Sequence, residues 1–312
     1  MEFFRFKREF GILQQRRLAF IVSSVLIVIS LGSIAFQGLR LGIDFTGGYL
    51  IEVGYEKPAE LEPIRATLRD AGFADAQVQH FGSQREVLVR VGPQGETSSA
   101  ELSDRVIAQL GTVGETKPDL RRVEFVGPQV GEELRDKGGV ALLLALMMIL
   151  LYVAFRFEKR FALGSVAALV HDVLIVVGVF SVLRIEFDLP VLAALLAVIG
   201  YSLNDTIVVF DRIRENFRRQ RHGTAEEITN GAINQTLART LMTSITTLLV
   251  LLTLLIVGGE AIHNFALALT VGVIVGTYSS IFVASALLLA LGLTRQDMMP
   301  VQKEGAEADG RP

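Results

Sequence analysis

Six stretches of the chain are apolar almost without interruption, and each has the roughly 17 to 25 residues that a helix needs to cross a bilayer. They run from Leu18 to Phe36, Gly138 to Phe155, Phe161 to Leu183, Leu189 to Phe210, Leu241 to Gly259 and Phe265 to Leu293. Between the first and second, over residues 37–137, the long apolar runs give way to short alternating ones. YLIEVGY (49–55) alternates as a half-buried strand does, and PAELEPIRATLRDAG opens on Pro58 and closes on Gly72 as a helix does. AQVQHF (76–81) and EVLVRV (86–91) read as two strands separated by a turn at Gly82 and Ser83. SSAELSDRVIAQLG reads as a second helix capped by Ser98 or Ser99, and RRVEFVG (121–127) as a last strand. The order β-α-β-β-α-β is that of a ferredoxin-like unit, two helices on one face of an antiparallel sheet. The expected fold class is therefore an α-helical polytopic membrane protein, with six transmembrane helices and an α+β ferredoxin-like extracytoplasmic domain between helices 1 and 2.

Composition agrees with this pattern, since 51% of the residues are hydrophobic. The first apolar run is longer than the core of a cleaved signal and reads as a span. A net charge of -3 gives no basic field for nucleic acid, so no nucleic-acid partner is expected. The chain has no cysteine and only four scattered histidines, so neither a metal site nor a cofactor is expected. Charge placement sets the orientation. Residues 1–17 hold five Lys or Arg, the second-to-third connection holds Arg156, Lys159 and Arg160, and the fourth-to-fifth holds six, ending at Arg239. Among the short loops on the other face only Arg184 appears, so both termini are expected in the cytoplasm. The domains expected are a basic N-terminus (1–17), helix 1 (18–36), the outer domain (37–137), helices 2–6 (138–293) and a disordered tail (294–312). A cytoplasmic amphipathic loop is expected over 211–240, with a capping box at Thr224 and Glu227.

Inside the spans the polar residues are few. The fourth carries Asn204 and Asp205 side by side, the third has His171 and Asp172 near its midpoint, and Arg239 stands at the cytoplasmic entrance of the fifth. An Asp at mid-helix costs roughly 2.5 to 3.5 kcal/mol on insertion scales, so such groups face protein or water. Arg239, Thr243, Thr246 and Thr253 recur at helical spacing, with Thr247 beside them, and form a polar helix face. Gly272, Gly276 and Ser280 form a small-residue stripe suited to helix packing. Gly47 and Gly48 permit a tight turn or a hinge where the chain enters the outer domain; no lysine follows them, so they are not a phosphate loop. Thr and Ser in membrane helices also satisfy themselves on the preceding turn, and Asp205 with Arg239 could form a static interhelical pair. The chemistry open to Asp205 is proton uptake and release, with Arg239, Asn204, Asp172 and His171 as the other members of a proton path. No catalytic constellation stands out, and an enzyme is not expected. An aspartyl-protease pairing of Asp172 with Asp205 lacks the flanking sequence.

Several segments together resemble one family: GIDFTGG (42–48), VGPQVGEEL (126–134), HD (171–172), YSLNDTIVVFDRIREN (201–216), NQTLARTLMTSITTLL (234–249) and GTYSSIFVASALL (276–288). They are similar to the SecD/SecF family of protein-export membrane proteins, which belongs to the resistance-nodulation-division type of proton-driven transporters. The resemblance implies a prokaryotic cytoplasmic (inner) membrane protein that works with a SecD-like membrane subunit. It further implies a role in using the proton-motive force to assist an unfolded exported polypeptide through the Sec translocation channel. Asp205 of NDT and Arg239 of ART are the residues the family associates with proton passage. Transporters of this type have two six-helix halves, and this chain supplies one. A membrane scaffold that only stabilises the translocon is the alternative.

Overall fold

The first span, α1 (Arg16–Gln37), follows a single 3-10 turn at Leu13–Gln15. It ends before Gly38, whose φ of 65° suits glycine. The computed structural model of the chain describes residues 10–93, 99–111, 118–157, 159–220 and 222–293. Arg5, Lys7, Arg8, the candidate cap Ser98 and the tail 294–312 lie outside the described residues.

After α1 come β1 (Arg40–Leu41), the short α2 (Ile43–Thr46), β2 (Gly48–Gly54), α3 (Leu61–Asp70), β3 (Gln77–Phe81), β4 (Ser83–Val91), α4 (Ser99–Leu110) and β5 (Asp119–Val126). Four of these strands make one antiparallel sheet in the order β3-β4-β2-β5. Strand alternation sends Tyr49, Ile51, Val53, Val87, Val89 and Val91 to one buried face. There they meet Ile64 and Leu68 of α3 and Leu102, Val106 and Leu110 of α4. Both helices thus share a single apolar core with the sheet.

The remaining elements are α5 (Pro128–Arg156), α6 (Lys159–Val182), β6 (Glu186–Phe187), α7 (Leu189–Arg219), α8 (Ala225–Val257) and α9 (Glu260–Tyr278). α9 continues through a π turn at Ser279–Ala284 into α10 (Ser285–Ala290). Six helices are long and apolar enough to cross a membrane, counting α9 to α10 as one, and the protein is a polytopic helical membrane protein. In α6, α7 and the last helix half or more of the residues in the apolar stretch are buried, whereas α1, α5 and α8 turn residues such as Phe155 and Ile256 outward.

One of the sequence expectations needs correcting. Residues 211–240 are not a loop carrying a separate surface helix: α7 continues to Arg219, and α8 runs unbroken from Ala225 into the fifth span. The expected capping box is present, with Glu227 N donating to Thr224 Oγ1 at 3.2 Å and Thr224 N donating to the Glu227 carboxylate at 2.8 Å. It starts a helix that no proline then interrupts, so the amphipathic segment and the span are one rod. α5 contains the expected second span and extends N-terminally of it to Pro128, with Pro at the first position where its fixed φ fits.

Besides the bond that Leu189 N of α7 donates to Asp44 Oδ2 at 2.9 Å, three joins hold the unit between α1 and α5 to the membrane helices. β1 pairs in parallel with β6, Arg40 opposite Glu186 and Leu41 opposite Phe187. Arg90 of β4 forms an ion pair with Glu186, and its Nη1 donates to Leu41 O at 3.2 Å. The Glu186 contact is a charge pair only, since Nε and Nη2 of Arg90 make no hydrogen bond among the described residues. The third join is at Gly47 and Gly48, which have φ of 71° and 121°. A Cβ on Gly47 would lie 2.8 Å from Pro128 Cα, and one on Gly48 would lie 2.6 Å from Val91 O. A Cβ on Gly131 of α5 would likewise lie 2.8 Å from Gly47 N. The glycine pair is therefore a closely packed joint between β2 and the start of α5.

Candidate functional site

The polar residues of the spans gather where α1, α6, α7 and α9 meet. Helix packing there is close because the small residues fall on the contact. A Cβ added to Gly272 would lie 2.1 Å from Val198, one on Gly276 would lie 2.9 Å from Ser202, and one on Gly178 would lie 2.0 Å from Ser30. Ser280, third member of the stripe, is fully buried and donates to Thr277 O at 3.0 Å.

At the centre of this junction is Asp172, 1% exposed, on α6. Its Oδ2 accepts from Ser202 Oγ of α7 at 2.5 Å and from Ser279 Oγ, at the start of the π turn, at 2.7 Å. Its Oδ1 lies 2.8 Å from His171 Nδ1. The other ring nitrogen, Nε2, is 3.1 Å from Ser23 Oγ of α1. Ser23 Oγ is in turn 2.9 Å from the Tyr278 hydroxyl, which donates to Ala19 O at 2.8 Å. One unbroken line of hydrogen bonds thus crosses four helices. A buried polar network is expected to be fully partnered, and this one is. The π turn lets Ser279 aim its hydroxyl at Asp172, and such turns recur at functional sites.

Asp205 has a different environment. It stands one turn beyond Ser202 on the same face of α7, is 3% exposed, and its Oδ2 has no hydrogen-bond partner among the described residues. The hydroxyls of Thr206 and Thr240 are buried and likewise unpartnered among the described residues. Asn204 points to the exposed side of α7 and is not brought to Asp205. Arg239 is exposed and makes no ion pair among the described residues, so a static Asp205–Arg239 pair is not what this structure contains. Instead Arg239 lines a cavity of about 300 Å³ with Arg156, Asp211, Arg212, Gln235 and Thr236. Ile207 and Val208, in the turn after Asp205, form another part of its wall.

The polar face of α8 is real but turned outward. Thr243 and Thr246 are exposed, Thr247 is half-buried, and all three donate to carbonyls of their own helix at 2.9 Å. The interior of α8 is marked by Thr240 and Ser244, the latter 2.6 Å from Thr277 Oγ1. Ser23, Ser202, Tyr278 and Ser279 were not singled out from sequence. Ser202 carried a signal, sitting three residues before Asp205, and so did the polar triplet Tyr278–Ser280 inside an apolar run.

Two family profiles match the chain: "Protein export membrane protein SecD/SecF, C-terminal" over residues 106–294 and "SecD/SecF GG Motif" over residues 32–59, the range that contains Gly47 and Gly48. The chain belongs to the SecD/SecF family. Among curated SecD/SecF proteins, it is 53% identical to protein translocase subunit SecF of Vibrio alginolyticus, covering 98% of each chain. The SecF of Escherichia coli O157:H7 is 48% identical, over 93% of this chain and 90% of that one. The crystal structure of SecDF, a translocon-associated membrane protein from Thermus thermophilus, superposes with a TM-score of 0.84 at 42% identity. That match covers 92% of this chain and 39% of the SecDF chain, so this chain spans well under half of that longer protein. SecDF in its super-membrane-facing form covers the same 92% with a TM-score of 0.68.

Proposed function

We propose that this chain is the SecF-type half of a SecD–SecF complex that uses the proton-motive force to assist protein translocation through the Sec channel. The observation that carries the reading is Asp205: a buried carboxyl, with an oxygen that no described residue partners, in a membrane helix of a protein-export family. Such a group has no packing value and needs a proton or a cation when it leaves water. Asp205 takes up and releases the proton, and the cavity that Arg239 lines is the cytoplasmic approach to it. An advancing Arg239 would favour release and a retreating one uptake. Asn204, on the opposite side of α7, is placed to face the partner half.

In this reading both termini are cytoplasmic and the chain lies in the cytoplasmic membrane. The unit between α1 and α5 is a ferredoxin-like domain on the outer face, where it meets the unfolded exported polypeptide. The partner is a SecD-like subunit of similar topology, covering some of the outward faces of α1, α5 and α8. The chain is a transport subunit and not an enzyme.

The test is Asp205→Asn co-expressed with the SecD-like partner. The complex is recovered from membranes to establish assembly, and export of a secreted protein is then followed with and without a proton gradient. Loss of the gradient-dependent part of export, with assembly intact, is the expected result. Unchanged export would leave the chain as a scaffold of the translocon.

A further inference from the structure

We propose that His171 and Asp172 form a second proton-binding site, and that its proton latches α1 to the last helix through Tyr278. The argument is a count of hydrogens along the buried line. Ala19 O can only accept, so the single hydrogen of the Tyr278 hydroxyl is committed to it. The Ser23–Tyr278 contact must then use the hydrogen of Ser23. With that hydrogen taken, the contact between Ser23 Oγ and His171 Nε2 needs a hydrogen on Nε2. On the far side of the ring, Asp172 Oδ1 and His171 Nδ1 also need one hydrogen between them. Ser202 supplies one hydrogen at Oδ2, and Ser279 supplies the other along the shorter of its two contacts, 2.7 Å to Oδ2 against 3.1 Å to Gly276 O, a carbonyl that already accepts from the Ser279 backbone N–H.

The imidazole and the carboxyl together therefore hold two hydrogens. They are either imidazolium with carboxylate or neutral imidazole with carboxylic acid, and each form is neutral as a pair. Removing one proton leaves a net negative charge at a site 1% to 4% exposed and breaks the line. If the remaining hydrogen sits on Nδ1, Ser23 must turn its own hydrogen to Nε2. Tyr278 then donates to Ser23 or to Ala19, but no longer holds both. The bond that is lost joins α1 to the residue at which α9 becomes the π turn. Proton loss thus loosens α1 from the last helix, while Ser279, the next residue, stays on Asp172.

The surroundings offer no substitute counter-charge. Residues 18–37 of α1, 138–155 of α5 and 240–257 of α8 contain no charged side chain, nor do 264–290 of the last helix. α7 brings Asp205, one turn from Ser202, and the last helix brings Tyr278, so the titratable neighbours are acids. The latch is separate from the Asp205 reading, because it rests on hydrogens around His171 alone.

The test uses the full chain in lipid nanodiscs, labelled with nitrogen-15 histidine, with His80, His222 and His263 replaced by Gln so that His171 alone reports. At pH 7 the Nε2 signal is expected at a protonated position. A bare Nε2 with hydrogen on Nδ1 would overturn the proposal. Asp172→Asn is the second arm, because its amide can donate to Nδ1 and so keep the hydrogen on Nε2 with nothing left to titrate. Its Nε2 is expected to stay protonated across the pH range in which the parent changes, and a titration like the parent's would overturn the proposal. Tyr278→Phe removes the demand on Ser23 without changing shape and is expected to admit the Nδ1–H form at pH 7. No change there would again count against the latch. Failure of Asp205→Asn to alter export leaves all three outcomes untouched, so the two ideas fail separately.

Discussion

Asp188, immediately before the fourth span, shows how one side chain at the N-terminal end of a membrane helix can carry pH dependence. It caps α7 by accepting from Val191 N at 2.9 Å. Burial raises its pKa to about 6, nearby Glu186 and Asp44 add to the rise, and the Val191 bond opposes it. The folded value is above the unfolded one, so the folded state binds the extra proton. Stability should fall as pH climbs from roughly 4 to 6, and the full penalty remains above that range. Thermal unfolding of the purified protein between pH 4.5 and 7 is expected to show this slope. Asp188→Asn, which still caps a helix, is expected to flatten it. At this scale the sequence was a good guide to residue type and a poor one to direction. Asp205, Asp172 and His171 were recognisable because charge is expensive in an apolar run. Asn204 and Asp205 are adjacent, however, and a helix turns about 100° per residue, so one faces in and the other out.

Between elements, contact is decided by side chains that are missing as much as by those present. α7 and α9 approach each other along Gly272 and Gly276, which meet Val198 and Ser202. Gly276→Leu would drive a side chain into Ser202 and push its hydroxyl off Asp172, and overpacking of this sort costs about 1–3 kcal/mol. Chemical unfolding in detergent should register a loss of that order, while Gly200→Ala, with no atom within 4 Å of the new Cβ, should leave stability unchanged or slightly higher. The small-residue stripe and the Thr224 capping box were legible because each lies within one helix. The line from Ser202 to Tyr278 was not, since its members come from four helices and Ser23 and Tyr278 are 255 positions apart. The hydroxyls of α8 illustrate the same limit. Spacing shows that Thr243 and Thr246 share a face, but only the neighbouring helices show that this face points outward and that Thr240 and Ser244 point in.

On the scale of the whole molecule, the question is how the unit between α1 and α5 is held to the six helices. Arg90 contributes a charge pair with Glu186 and a bond to Leu41 O from a side chain that is 11% exposed. Arg90→Ala takes from Glu186 its ion-pair partner and leaves Arg40 as the nearby cation, a loss of about 1.5–3 kcal/mol for a charged contact. The expected outcome is a four-stranded sheet that stays folded, with faster proteolysis in the connections around residues 38–42 and 184–188. Equal protection in parent and variant would assign the attachment to the β1–β6 bridge and the glycine joint without Arg90. Chain order made the insertion of this unit between the first two spans readable. The β1–β6 bridge was hidden because two-residue strands have no pattern of their own.

That bridge and the glycine joint have a mechanical corollary. A body fixed at one point can swivel in any direction, whereas one fixed at two can turn only about the line through them. Here one fixing lies at Arg40–Leu41 against Glu186–Phe187, and the other at Gly47 against Pro128 and Gly131. The β3–β4 turn adds a contact away from that line, a Cβ on Gly82 lying 3.2 Å from Glu260 Cγ of α9, so the unit is carried along by a displacement of α5 relative to the α6–α7 connection and does not swivel freely.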